Sequence, residues 1–310
     1  MEKSSSSDDK LRILKKIENI GNRDFDGVDV TKLLKGYLQD EDEEIILSAL
    51  QAAGNYPSDE GLFRDIFKMA QDHGDEEIRA MANSCLGAVI QDGLEFEEEP
   101  PAGLSPGCAL VTRDFYQTVR EHLVRKVDAP MESMEVRRRA LEGLGYLGYL
   151  PQFRQIVLRF YHQAPNPYVK VSALYAMGLV RDAVFERLIL EELYAPSEPV
   201  LLEAMHSAAC LGLHACVERL TDLSRSPSQD IRYEAVMALG SLAPLATLPG
   251  ILSNLEATEK VAEVREAIAA AGNAMNQRRM LDKGEDIWDD GLILGEIEDM
   301  VDGERNDPEE

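Results

Sequence analysis

The chain has 310 residues, 45% of them hydrophobic, and a formal net charge of −25. That acidity excludes a non-specific grip on nucleic acid, whose phosphates demand clustered Lys and Arg, and it disfavours an anionic membrane surface. It leaves two readings: solubility through self-repulsion, or a protein partner with a basic surface. No apolar run reaches the roughly 18 residues of a membrane span, so no membrane insertion is expected. Met1 to Asp9 is serine-rich and acidic and lacks the basic-then-apolar design of a signal peptide, which predicts a cytoplasmic protein.

Residues 1–28 read as an amino-terminal tail with a degenerate cap helix, carried by Leu11, Leu14, Ile17, Ile20 and Gly21. From residue 29 to 275 the chain repeats. Six segments share one register, led by Ile45, Ile78, Val136, Val169, Val200 and Ile231. The gaps are 33, 58, 33, 31 and 31 residues, the second being one period plus an insertion. Counting from the leader, apolar or small residues recur at +4, +5, +8, +9, +11 and +12. In the third unit these are Ala140, Leu141, Leu144, Gly145, Leu147 and Gly148. At 100° per residue they fill one broad arc, so each segment is predicted to be a helix packed on more than one neighbour.

A second amphipathic helix precedes each of these. Phe63-x-x-Ile66-Phe67-x-x-Ala70 and Phe153-x-x-Ile156-Val157-x-x-Phe160 are examples. Loops such as Ala164-Pro165-Asn166-Pro167 and Ser224-Arg225-Ser226-Pro227 punctuate them. One such hairpin cannot bury its apolar faces alone, whereas a row can. The expectation is an all-α fold, a right-handed α-α superhelical solenoid of about six to seven hairpins. An acidic, helix-breaking insertion at about 91–112 reads as a long loop. Residues 261–275 read as a seventh, slipped copy, with Ala267, Ala271 and Gly272 in phase and Val264 displaced by one. Residues 276–310 form an acidic tail. Trp288, Leu292, Ile293 and Ile297 lie within it and suit either a short docking helix that folds on contact or a last capping helix.

The recurring Val-Lys/Arg-x-x-Ala-x-x-x-Leu/Met-Gly pattern, with proline shortly before it, resembles the HEAT repeat family, including its phycobilin-lyase-like variant, over roughly residues 29–275. The resemblance implies a binding scaffold or adaptor. It also implies an alternative, a HEAT-type modifying enzyme acting on a protein-bound group. A fold of this kind does not choose between them.

Local chemistry favours the non-catalytic reading, with no cofactor and no metal expected. Gly143-Leu144-Gly145-Tyr146-Leu147-Gly148 matches G-x-G-x-x-G, but a dinucleotide site needs a preceding strand, and here a helix precedes. His206, Cys210 and His214 are spaced by four, as zinc ligands on one helix can be, but Gly212 and the unit that follows imply that the helix ends near His214. None of the five histidines is followed by Glu, so the His-Glu iron site of HEAT-like hydroxylases is missing. Cys85, Cys108, Cys210 and Cys216 form no C-x-x-C pair and read as thiols rather than a disulfide framework.

The face opposite the packed arc gives the strongest functional hint. From the third unit onward, offsets +2, +6 and +10 read Arg138, Glu142 and Tyr146; Val171, Tyr175 and Leu179; Leu202, His206 and Cys210; Tyr233 and Met237. Arg139 lies beside them. Aromatic and Met enrichment within a polar rim suits a protein-binding groove. Tight curvature that simply buries these positions is the other reading.

Overall fold

The computed structural model describes residues 7–20, 29–56, 59–97, 110–180 and 182–283. Every regular element among them is helical. They form two compact units, one running to Tyr146 and the other from Leu147.

The first unit contains α1 (Ser7–Ile20), α2 (Val30–Tyr37), α3 (Glu43–Asn55), α4 (Glu60–Asp72), α5 (Glu76–Cys85), α6 (Gly87–Asp92), α7 (Arg113–Asp128) and α8 (Met134–Gly143). Three hairpins pair α2 with α3, α4 with α5 and α7 with α8, while α1, α3, α5 and α8 stack in a row. The second unit contains α9 (Pro151–His162), α10 (Pro167–Val180), α11 (Glu186–Glu192), α12 (Glu198–Leu211), α13 (Val217–Leu223), α14 (Gln229–Leu242), α15 (Leu248–Glu256) and α16 (Ala262–Lys283). Four hairpins pair α9 with α10, α11 with α12, α13 with α14 and α15 with α16, and the even-numbered helices stack. The architecture is thus all-α and made of stacked helical hairpins.

Each leading residue is the third residue of its helix, for a local reason. In five of the six, a residue whose side chain caps the helix stands three positions before it. Asp42, Asp75, Ser133 and Ser228 each accept a hydrogen bond from the first-turn backbone. Asn166 Oδ1 accepts from Val169 N at 3.1 Å. A cap of this kind is worth about 1 kcal/mol and fixes where the helix begins. In three units an arginine directly after the leader reaches back to the end of the preceding helix. Arg79 donates to His73 O at 2.7 Å, Arg137 to Val127 O at 2.9 Å and Arg232 to Ser226 O at 3.0 Å. These carbonyls sit at or just past helix ends and have no partner further along the helix.

The spacing between stacked helices is set by small residues. The glycine at +9 faces the +7 residue of the next stacked helix. A Cβ on Gly54 would lie 3.8 Å from Cys85 Cα; on Gly87, 3.3 Å from Gly143 Cα; on Gly178, 3.2 Å from Ser207 Cα; on Gly240, 2.9 Å from Ala271 Cα. All four contacts run from +9 to +7. The last holds only if Val264 leads the seventh helix, and Val264 is indeed the third residue of α16. The displacement read from the sequence is therefore corrected: Val264 is in register.

Two further expectations change. Gly87 and Gly145 do not lie inside the leading helices. The first opens α6 after a break at Leu86, and the second follows the end of α8. The first residues of the insertion are not loop. Gly93–Phe96 form a short 3-10 helix with Leu94 fully buried. Phe96 packs on Tyr116, whose hydroxyl donates to Glu97 at 2.6 Å. Residues 98–109 of the insertion, and Trp288, Leu292, Ile293 and Ile297 of the tail, lie outside the described residues. The chain remains helical beyond residue 275, and Arg278 donates to Gly240 O and Ala243 O at 2.9 and 3.0 Å.

The first unit also buries one imidazole. Asn83 donates through Nδ2 to Ala70 O at 3.0 Å and Arg79 O at 2.8 Å. Its Oδ1 can only accept, and it faces His122 Nε2 at 3.0 Å, so that nitrogen carries the hydrogen. Burial, reinforced by Lys126 and Arg125, pushes His122 down to about 4, against a weaker pull from Asp72 and Glu132.

Two predictions follow from this packing. Gly240→Ala should cost about 1–3 kcal/mol by overpacking against Ala271, whereas Gly54→Ala should be neutral or stabilise by up to about 1 kcal/mol through helix propensity. Urea denaturation should give the two opposite signs. His122 is neutral in the fold and takes up a proton near its ordinary value of about 6.5 once unfolded. The stability it contributes should be complete above that pH and be lost as pH falls to about 4, on the order of 3 kcal/mol in all. His122→Gln should flatten the stability profile across that window.

Candidate functional site

The outward face of the second unit is built from three successive stacked helices. Residues four apart on a helix form a ridge along one side. On α10 the ridge is Val171, Tyr175 and Leu179, all half-buried. On α12 it is Leu202, His206 and Cys210. On α14 it is Tyr233 and Met237, exposed by 40% and 36%. The structure thus brings eight residues of like register onto neighbouring helices of one unit. They sit above the buried core of Leu174, Met205 and Val236.

A polar line crosses this apolar surface. His206 Nε2 lies 3.6 Å from Cys210 Sγ, one turn on. His206 Nδ1 lies 3.6 Å from Glu234 Oε1 on α14. The hydrogen bond with Cys210, then that with Glu234, holds the imidazole well above its ordinary pKa, with partial burial opposing. Glu203, on the same helix, lies 3.1 Å from Ser207 Oγ and shares that hydroxyl's single hydrogen with Leu174 O.

In the first unit the expected groove residues behave differently. Arg138 and Glu142 are buried, not presented to solvent. Arg138 donates to Glu135 and, at 3.3 Å, to Glu142. Arg139 donates to Glu142 at 2.9 Å and stands 3.5 Å from Glu135. Ser84 on α5 completes the set with a 2.8 Å bond to Glu142. The reason is helical spacing: Glu135, Arg138, Arg139 and Glu142 lie three and four apart and neutralise one another along α8. The two carboxylates raise the pKa of Arg139, with burial opposing them. Tyr146 is half-buried just beyond the end of that helix.

The sequence motifs resolve as follows. Gly143 ends α8, where a Cβ would fall 2.6 Å from Asn83 O, so this glycine permits helix packing rather than phosphate approach. Gly212 caps α12 in the left-handed region at φ 69°. The chain turns there, and His214 Nδ1 meets Leu242 O at 2.8 Å instead of joining His206. No group of three metal-type ligands forms among the described residues. Glu234 lies beside this face in the sequence pattern, but its pairing with His206 was not read from it. Its signal was present, at +3 of the repeat after the one that holds His206 at +6.

The fold defines a helical-repeat protein. No family model matches the chain, and no curated protein matches it either. Among solved structures it is similar to the X-ray structure of YibA from E. coli, at 14% identity and a TM-score of 0.41, covering 88% of this chain and 93% of that one. It is also similar to an engineered protein, at 14% identity and a TM-score of 0.37, covering 97% and 100%. Neither likeness carries a statement about function. No described helix is long and apolar enough to cross a membrane.

The charge cluster generates one prediction. Glu142→Ala should destabilise the protein by about 3 kcal/mol, the low end for breaking a buried ion pair because Glu135 still holds Arg138. Chemical denaturation of the variant checks this.

Proposed function

We propose that this chain is a non-catalytic scaffold or adaptor of the HEAT-repeat type that binds a protein through the outward face of its second unit. The observation that carries the reading is the set of three adjacent ridges. Tyr233 and Met237 are exposed, and Tyr175, Leu179 and Leu202 are half-buried, on neighbouring helices. Aromatic and Met side chains with carboxylates beside them match the composition of a protein interface. The net charge of −25 supports a partner with a basic surface and argues against nucleic acid. In this reading the protein works in the cytoplasm.

Tyr233 and Met237 are exposed enough to change without entering the core. Tyr233→Glu with Met237→Glu should abolish recovery of the partner in crosslinking pull-downs while shifting stability by less than about 0.5 kcal/mol per site. Met131→Glu, at a position 96% exposed in the first unit, is the control that should leave recovery intact. Equal recovery by the double variant and the wild type would sink the proposal.

A further inference from the structure

The three described cysteines have very different surroundings. Cys85 is buried, and burial pushes its thiol up to about 12. Cys216 is buried, donates to Leu213 O at 2.9 Å and is pushed up to about 11 by the same cause. Cys210 is neither fully buried nor far from a base. Its sulfur faces His206 Nε2 at 3.6 Å, and the other ring nitrogen faces Glu234 at 3.6 Å. Thiol, imidazole and carboxylate stand in that order, one group on each side of the ring. The His206 side chain is 53% exposed, so a small reagent can reach the pair from solvent.

Such an array favours proton transfer from sulfur to nitrogen. That transfer would break the S–H bond, form an N–H bond and set a thiolate beside an imidazolium. Glu234 stabilises the cation, as does the more distant Glu203. The i, i+4 spacing on α12 makes the contact local, and the stacking of α14 on α12 supplies the carboxylate.

We propose that Cys210 is a reactive thiol and a modification site of this protein, taking small disulfides to form a mixed disulfide. The thiolate attacks one sulfur of the disulfide. A Cys210–sulfur bond forms and the original S–S bond breaks. The electron pair leaves on the second sulfur, which takes the proton held by His206. The small disulfide is the oxidant, one equivalent of small thiol is released, and Cys210 is oxidised. The acidic chain favours cationic disulfides over anionic ones. This inference does not require the docking role proposed above, since it rests on three side chains rather than on a partner.

The test uses full-length protein and cystamine at neutral pH, with each cysteine followed by peptide mass spectrometry. Cys210 should be modified at least about tenfold faster than Cys85 and Cys216, because it stands beside an imidazole that solvent reaches whereas both of the others are buried. His206→Gln should slow Cys210 by about tenfold with an unchanged melting temperature. Glu234→Gln should slow it less, and Glu234→Asp should recover part of the rate. The ultraviolet absorbance of thiolate that Cys210→Ser removes should also vanish in His206→Gln, which a purely structural histidine would not cause. If Cys210 reacts no faster than a free small-molecule thiol, or if His206→Gln leaves both rate and absorbance unchanged, the proposal is overturned.

Discussion

The close contact between a glycine at one position of a repeat and a small residue two positions earlier in the next is the constraint on which the stacking depends. Backbone separation between packed helices follows the side chains at the contact. Gly178 against Ser207 and Gly240 against Ala271 leave no room for a methyl group to be added freely. Once the backbones approach this closely, the larger residues on either side are forced into one shared layer. Leu174, Met177, Met205, Ala208, Val236 and Leu239 are all buried as a result. The same approach leaves the ridges on the far side of these helices without a covering layer within the unit.

Polar groups then refine what the small residues permit. Ser207 donates to Leu174 O at 3.0 Å, so the serine at the contact ties the two backbones together instead of stranding a hydroxyl. Asn83 and His122 do the same across α5 and α7. In both places a buried polar group is satisfied by a neighbour in the stack, which makes the packing specific as well as tight.

Much of the fold was legible because its signals are local. Period, leading residues, loop prolines and helix caps all lie within a few residues of one another. The caps at Asp42, Asp75, Ser133, Asn166 and Ser228 mark five of the leading residues, but the position three before Val264 is Val261, which offers no capping side chain, so the register of the seventh helix carried no such local signal. The candidate site was only partly legible. Arg138 and Glu142 looked like a polar rim because offsets +2 and +6 were read as a face. Their opposite charges at a spacing of four already implied a pair, and Glu135 and Arg139 complete it. The meeting of Glu234 with His206 was harder to see, since it joins residues 28 apart and depends on the relative rotation of two helices.

The Gly87–Gly143 contact has a consequence for how the chain tolerates change. It joins residues on either side of the insertion, so the register of the stack is set by surfaces meeting and not by the length of chain between them. Loop closure becomes only slowly more costly as a loop lengthens, about 0.6 kcal/mol for each doubling. A seam of this kind can therefore accept extra residues without disturbing the layers beside it. Synthesis meets the same freedom from the other direction. Each hairpin needs only its neighbour in the chain to pack against, so the stack can be laid down one repeat at a time.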